Sequence, residues 1–143
     1  MMHPRGEWLN PDTGRVLDRQ AFMKEMAAKQ VVLLGETHNI AEIHRWQMHV
    51  AVYLHACRAD MMMGFEMFPR SKQAVLDKWV EGKLRTDEFL EEVEWAKVWG
   101  FPPEIYLTLF HFCRQNKVRI LALNSYRELV TRAGQDGSDA VPD

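Results

Sequence analysis

Apolar residues are distributed along the chain in two ways. Three short runs are almost continuous: VVLLGE (31–36), MMMGFEMF (61–68) and VRILALN (118–124). Near-continuous apolar character is how strands covered on both faces read, so each run is expected to be a strand. The methionines of the second run are unusual strand formers. Elsewhere the spacing is helical. From Ala41 to Arg58, Trp46, Val50, Leu54 and Cys57 recur at intervals of 4, 4 and 3 residues, one face of a helix. Pro69 opens the next helical stretch, where a missing N–H costs nothing. Gln73, Leu76 and Trp79 carry it to about Glu81, and Gly82 is placed to end it. Thr86 is the expected N-cap of a helix through Lys97, with Asp87 and Glu88 near its positive end. After the break WGFPPE, a helix is expected from Pro103 to Asn116, then a short one from Ser125 to Arg132. Near the N-terminus, Asp18 is the expected cap of a helix reaching Lys29.

Strands alternating with helices imply right-handed crossovers and a parallel sheet. The expected fold is therefore α/β: a partial three-layer α/β/α domain over residues 1–133 with a small, mainly parallel sheet. Such sheets normally continue beyond three strands, so the domain is expected to be incomplete at its C-terminal end. Residues 134–143, AGQDGSDAVPD from Ala133 onward, are small, polar and turn-rich and are expected to form a loose tail.

Composition narrows the picture only a little. The chain has 143 residues, 47% hydrophobic and 27% charged, with a net charge of −2. These proportions are those of a globular domain, and the charge offers no field for nucleic acid or anionic lipid. Cys57 and Cys113 form no CxxC pair and suggest buried thiols rather than a disulfide framework. No apolar run approaches the ~18 residues of a membrane span. The N-terminus MMHPRGEWLNPDTG has no signal core, so a cytoplasmic location is expected for the chain as written.

The chemistry gathers at the strand ends. Parallel strands share a carboxyl edge, where open α/β sheets bind ligands. Strand 31–36 ends in Glu36, with Thr37 and His38 just beyond; the second run carries Glu66; the third ends in Asn124. Neighbouring strands lie ~4.8 Å apart, so these groups are expected in one cleft. Two carboxylates that close either share a proton or hold a cation. Glu36, His38 and Glu66 are thus candidate ligands for Zn²⁺, Mn²⁺ or iron, and Glu36 with His38 a candidate general acid/base pair. The alternative is that both glutamates merely cap the following helices. His44 and Gln47, three apart on the next helix, share a face that the cleft can use, or else form a solvated helix start. Trp79, Trp95, Trp99, Phe101 and Tyr106 read first as core. The rigid turn WGFPPEIY could also wall a flat apolar ligand, which adds Tyr106 to the candidate cofactor contacts.

Three segments, GETHNIAEIHRWQ (35–47), GFEMFPRSKQAVLDKWVEGKL (64–84) and ALNSYRELV (122–130), resemble in order the motifs of the ChaN-like haem-binding uptake family of the Tiki superfamily. The resemblance runs from about Trp8 to the end. It implies an α/β fold with a parallel-rich sheet and, for some members, haem or iron handling at the bacterial envelope, often as lipoproteins. The wider superfamily includes metal-dependent proteases and erythromycin-esterase-like hydrolases, whose active centres use the GExH glutamate and histidine. Carried over, these are Glu36 and His38. Glu66 matches the second motif's carboxylate, and His44 and Gln47 the segment that follows the first. Two departures stand out. The family's His-His pair is Ile43–His44 here, and family domains extend well beyond Asp143 into a second half where a haem-ligating tyrosine is expected. The leading expectation is a haem or iron-cofactor binding protein using His44, Gln47, Glu66, Asn124 and Tyr106. The alternatives are a Mn²⁺- or Zn²⁺-dependent hydrolase built on Glu36 and His38, and a fragment inactive alone. A bare sheet edge would further favour a homodimer.

Overall fold

The computed structural model describes residues 6–125 and 134–135. They fall into two compact units, divided between Met61 and Met62, and each unit is described in its own frame.

In the first unit, helix α1 (Arg19–Ala27) packs on helix α2 (Ala41–Cys57). Asp18 caps α1 as its sequence position predicts, its carboxylate accepting the Ala21 N–H at 2.7 Å. Ahead of it, a Leu9–Val16 antiparallel bridge closes a turn. The Asn10 side chain holds that turn by accepting from Asp12 and Thr13 at 2.9 and 3.0 Å. The core consists of Met23, Met26 and Val50, with Trp8, Phe22, Val32, Leu34 and Trp46 packed around it. The buried stripe of α2 is His44, Gln47, Val50 and Ala51. It is turned from the expected apolar face so that two polar residues point inward, while Cys57, expected as a buried thiol, is exposed.

The run 31–36 is not a strand. It is an extended segment whose burial alternates. Val32 and Leu34 turn to the core, while Val31 and Leu33 are 73% and 88% exposed. The continuous apolar pattern anticipated cover on both faces and a neighbour in the sheet. Within the first unit one face is covered, and no backbone–backbone hydrogen bond joins residues 31–35 to another described residue of that unit.

In the second unit, strand β1 (Met62–Pro69) pairs in parallel with β2 (Arg119–Asn124), Met62 opposite Arg119 and Phe65 opposite Ala122. The register slips between Phe65 and Pro69, which brings Pro69 opposite Asn124. The two runs expected as parallel strands here do form a parallel sheet, and the fold is α/β. A single 3₁₀ turn (Arg70–Lys72) leads into helix α3 (Gln73–Glu81), which ends at Gly82 in the left-handed conformation, φ 84°.

Helix α4 (Thr86–Glu92) starts one residue earlier than Thr86 capping would give. Arg85 is the cap residue, and the Glu88 carboxylate reaches back to accept its N–H at 2.7 Å. The single helix expected through Lys97 is interrupted at Glu94, φ 57°, before the short helix α5 (Trp95–Val98). Glu94 accepts from Lys72 at 2.5 Å and from Lys97 at 3.2 Å. Helix α6 (Glu104–Asn116) follows Pro103 as expected. The helix expected over 125–132 and the tail over 134–143 fall almost wholly outside the described residues. Among the described residues, no helix is long and apolar enough to cross a membrane.

The aromatic middle is core. Trp79 stacks on Phe89 at 4.5 Å, and Phe68, Phe110 and Tyr106 complete the cluster, all fully buried. Each indole N–H has an acceptor: Trp79 donates to the Phe110 carbonyl (2.9 Å), Trp95 to the Phe101 carbonyl (2.7 Å) and Trp99 to the Tyr106 hydroxyl (2.9 Å).

Helix α3 reaches the sheet through Gln73. Its amide Nε2 donates to the Ile120 carbonyl (2.8 Å), and its Oε1 accepts the Ala122 N–H (2.9 Å). Successive residues of a strand direct their backbone groups alternately to its two sides. Ile120 and Ala122 therefore face away from β1, and the Gln73 amide occupies the outer edge of β2 as a neighbouring peptide unit would. Gln73→Ala is expected to strand these two backbone groups, both on buried residues, and to destabilise the unit by about 1–3 kcal/mol. Urea unfolding measures the loss, and accelerated amide exchange at Ala122 locates it.

The Lys72 hydrogen bond, then that of Lys97, holds the Glu94 carboxyl below the usual carboxylate range. A depressed pKa adds stability that is present above the ordinary value and is lost as pH falls through the lowered one. Acid titration of the wild type should show this decline below about pH 4, and Glu94→Gln should flatten that part of the curve.

Candidate functional site

The turn between residues 31–36 and α2 brings together the first motif. Thr37 accepts from the Ile40 N–H at 3.0 Å, folding Glu36 and His38 back toward the first turns of α2. There His44 and Gln47, three residues apart, share the inward face.

Glu36 is the hub. Its side chain is 12% exposed, and a carboxylate so far from water requires donors. His38 Nδ1 meets Glu36 Oε1 at 2.7 Å, Gln47 Nε2 donates to Glu36 Oε2 at 3.2 Å, and His44 Nδ1 lies 3.4 Å from the same oxygen. Gln47 Nε2 also reaches the Leu34 carbonyl at 3.4 Å, which fixes its amide orientation: the flipped amide would set Oε1 against two acceptors. Gln47 Oε1 then faces His44 Nδ1 at 3.1 Å, and His44 Nε2 faces the His38 carbonyl at 3.0 Å. Both ring nitrogens of His44 are thus engaged, Nδ1 with the Gln47 amide and Nε2 with the backbone of the turn. His44 and Gln47 are 3% and 7% exposed; the solvated helix start is excluded. His38 is the outward member, its side chain 38% exposed.

The structure therefore brings Glu36, His38, His44 and Gln47 into one hydrogen-bonded cluster within the first unit. Glu66 and Asn124 belong to the second, both exposed, Glu66 on β1 and Asn124 at the end of β2. Tyr106, a candidate cofactor contact from the sequence, is instead fully buried, with its hydroxyl held by Trp99. The phenol oxygen accepts the indole N–H in an apolar core, which keeps Tyr106 from the surface. Cys113 is buried too, and burial pushes its thiol up to about 12, far from a reactive thiolate. Sequence reasoning missed Gln73. The one available signal was a glutamine at a helix start directly after a strand.

An α/β domain whose first motif leads into a part-buried Glu–His–His–Gln cluster is a specific class of protein. The family model described as haem-binding uptake, Tiki superfamily, ChaN, matches residues 22–143, and the chain belongs to that family. Among solved structures, the chain is similar to ChaN of Campylobacter jejuni, in a structure described as cofacial haem binding. The TM-score is 0.74 at 21% identity, over 88% of this chain and 51% of that one. At this identity the likeness establishes the fold, and the chain spans about half the length of that protein. No curated protein matches at a significant level.

Gln47→Leu keeps the size of the side chain but removes two donors and an acceptor. It leaves Glu36 Oε2, the Leu34 carbonyl and His44 Nδ1 short of partners. The expected cost is about 1–3 kcal/mol, read from the chemical-denaturation midpoint. The mirrored substitution Val50→Leu tests packing alone.

Proposed function

We propose that this chain contributes to haem binding and iron uptake, with His38 as the residue that meets the iron. Membership of the haem-binding uptake family over residues 22–143 carries the reading. The residues present suit a metal-centred ligand. An imidazole whose one nitrogen is tied to a carboxylate is the usual form of a metal-ligating histidine, because the second-layer partner fixes the tautomer and raises basicity. His38, with Nδ1 at 2.7 Å from Glu36 and its ring partly exposed, has that form. His44 and Gln47, too deeply buried to touch a ligand the size of haem, hold Glu36 in place. When bound, haem supplies the iron; the protein supplies ligation, orientation and a dry surround. The same reading includes self-association of the chain through an exposed sheet edge.

Haem titration followed by its absorption band tests the proposal. A saturable shift is expected, lost in His38→Ala and weakened about 10–100-fold in Glu36→Gln, in line with other second-layer substitutions. Circular dichroism checks that both variants fold. Absence of a saturable shift, in this chain and in a family-length relative alike, would falsify the reading.

A further inference from the structure

The two oxygens of the Glu36 carboxylate are divided between two partners, and we propose that Gln47 enforces the division. Its amide, oriented by the Leu34 carbonyl, holds Glu36 so that His38 keeps its proton on Nδ1 and offers Nε2 to the iron. Gln47 is thus a positioning residue that acts through Glu36. The proposal rests on the reading of His38 as the residue that meets the iron.

Glu36 Oε1 meets His38 Nδ1 at 2.7 Å. Glu36 Oε2 meets Gln47 Nε2 at 3.2 Å, with His44 Nδ1 3.4 Å away. A glutamate side chain does not keep such a division by itself. Its last torsion is broad and roughly two-fold, so one hydrogen bond leaves the carboxylate able to turn. A second tie, on the other oxygen, removes that freedom. Gln47 is suited to supply it. Its amide nitrogen carries two donors, which divide between Glu36 Oε2 and the Leu34 carbonyl at 3.4 Å. The flipped amide would bring Gln47 Oε1 against both of these acceptors. Gln47 Oε1 instead faces His44 Nδ1 at 3.1 Å, one helical turn back. At 7% exposure, Gln47 meets little competing water.

The consequence falls on the imidazole. With Glu36 Oε1 held as an acceptor, His38 Nδ1 donates, and a neutral ring protonated there carries its lone pair on Nε2. That lone pair is what a metal takes. The opposite tautomer would set the Nδ1 lone pair against a carboxylate oxygen. Because the same Gln47 nitrogen reaches the Leu34 carbonyl, the state of His38 is also coupled to the seating of residue 34 against α2.

The tautomer is read without haem, from long-range ¹H–¹⁵N correlation spectra at about pH 8, above the ordinary histidine range. Comparison with His38→Ala assigns the His38 signals. The wild type should show His38 protonated on Nδ1. Gln47→Met should move it to a mixture of both tautomers and weaken haem binding by less than the about 10–100-fold expected of Glu36→Gln. Gln47→Asn keeps an amide but withdraws it by one methylene, and should give the same two readings. Val50→Ala, which loosens the core one turn along α2, should leave the tautomer and the haem affinity unchanged, so a merely structural role for Gln47 is separated. A wild-type His38 protonated on Nε2 overturns the proposal. So does a folded Gln47 variant that keeps the Nδ1 proton in full, or one whose tautomer shifts while its haem affinity stays at the wild-type value. A wild type with the expected tautomer that takes up no haem sinks the iron-ligand reading and leaves the hold of Gln47 on His38 standing, so the two failures are distinguishable.

Discussion

A carboxylate withdrawn from water organises the first unit. The Glu36 side chain is 12% exposed, where polar groups need partners, and each partner it meets fixes a different part of the chain. His38 anchors the turn, Gln47 ties the carboxylate to the Leu34 carbonyl, and His44 links α2 back to the backbone of the turn. The position of α2 relative to the 31–36 segment follows from this. The helix turns His44 and Gln47 inward at the expense of a purely apolar face, and the packing of Val50 against Met23 and Met26 is built around that choice. Such clusters are strongly coupled, so their members cannot be assigned separate energies.

The second unit solves a different problem. Its sheet has two strands, too few to shield its own edges, and its core is made of rings. The rings pack edge to face and stacked around Phe68 and Phe110, with every tryptophan N–H in the cluster directed at a specific oxygen. This gives the core one arrangement rather than many. Lys72 contributes at the rim, donating to the Glu92 carbonyl and the Glu94 carboxylate, and so holds a left-handed residue in place at the junction of α4 and α5.

Much of this was legible in the sequence. Asp18, Gly82 and Pro103 mark helix ends because capping is local chemistry, and β1 and β2 were readable as apolar runs that pair with each other. Legibility failed where a distant partner decided the outcome. Nothing near Glu94 announces that Lys72 will grip it, so one expected helix became two. The run 31–36 states a preference for cover on two faces, whereas its own unit covers one. At the site, the spacing of His44 and Gln47 placed them correctly on one face, yet their burial depends on Glu36, which periodicity does not register. Tyr106 lies in the core, as its first reading had it, and the second reading as a ligand contact arose because an aromatic with a polar tip looks the same in sequence whether it meets a ligand or an indole.

The Gln73 amide also makes the protein sensitive to chemical ageing. Its role depends on one end donating and the other accepting. Hydrolysis of that amide to a carboxylate exchanges a single NH₂ for an oxygen with almost no change of shape. It would set two acceptors against each other at the Ile120 carbonyl while adding a negative charge. The plug would be expelled and the outer side of β2 laid open, so that slow deamidation at one half-buried glutamine gives that strand an adhesive margin.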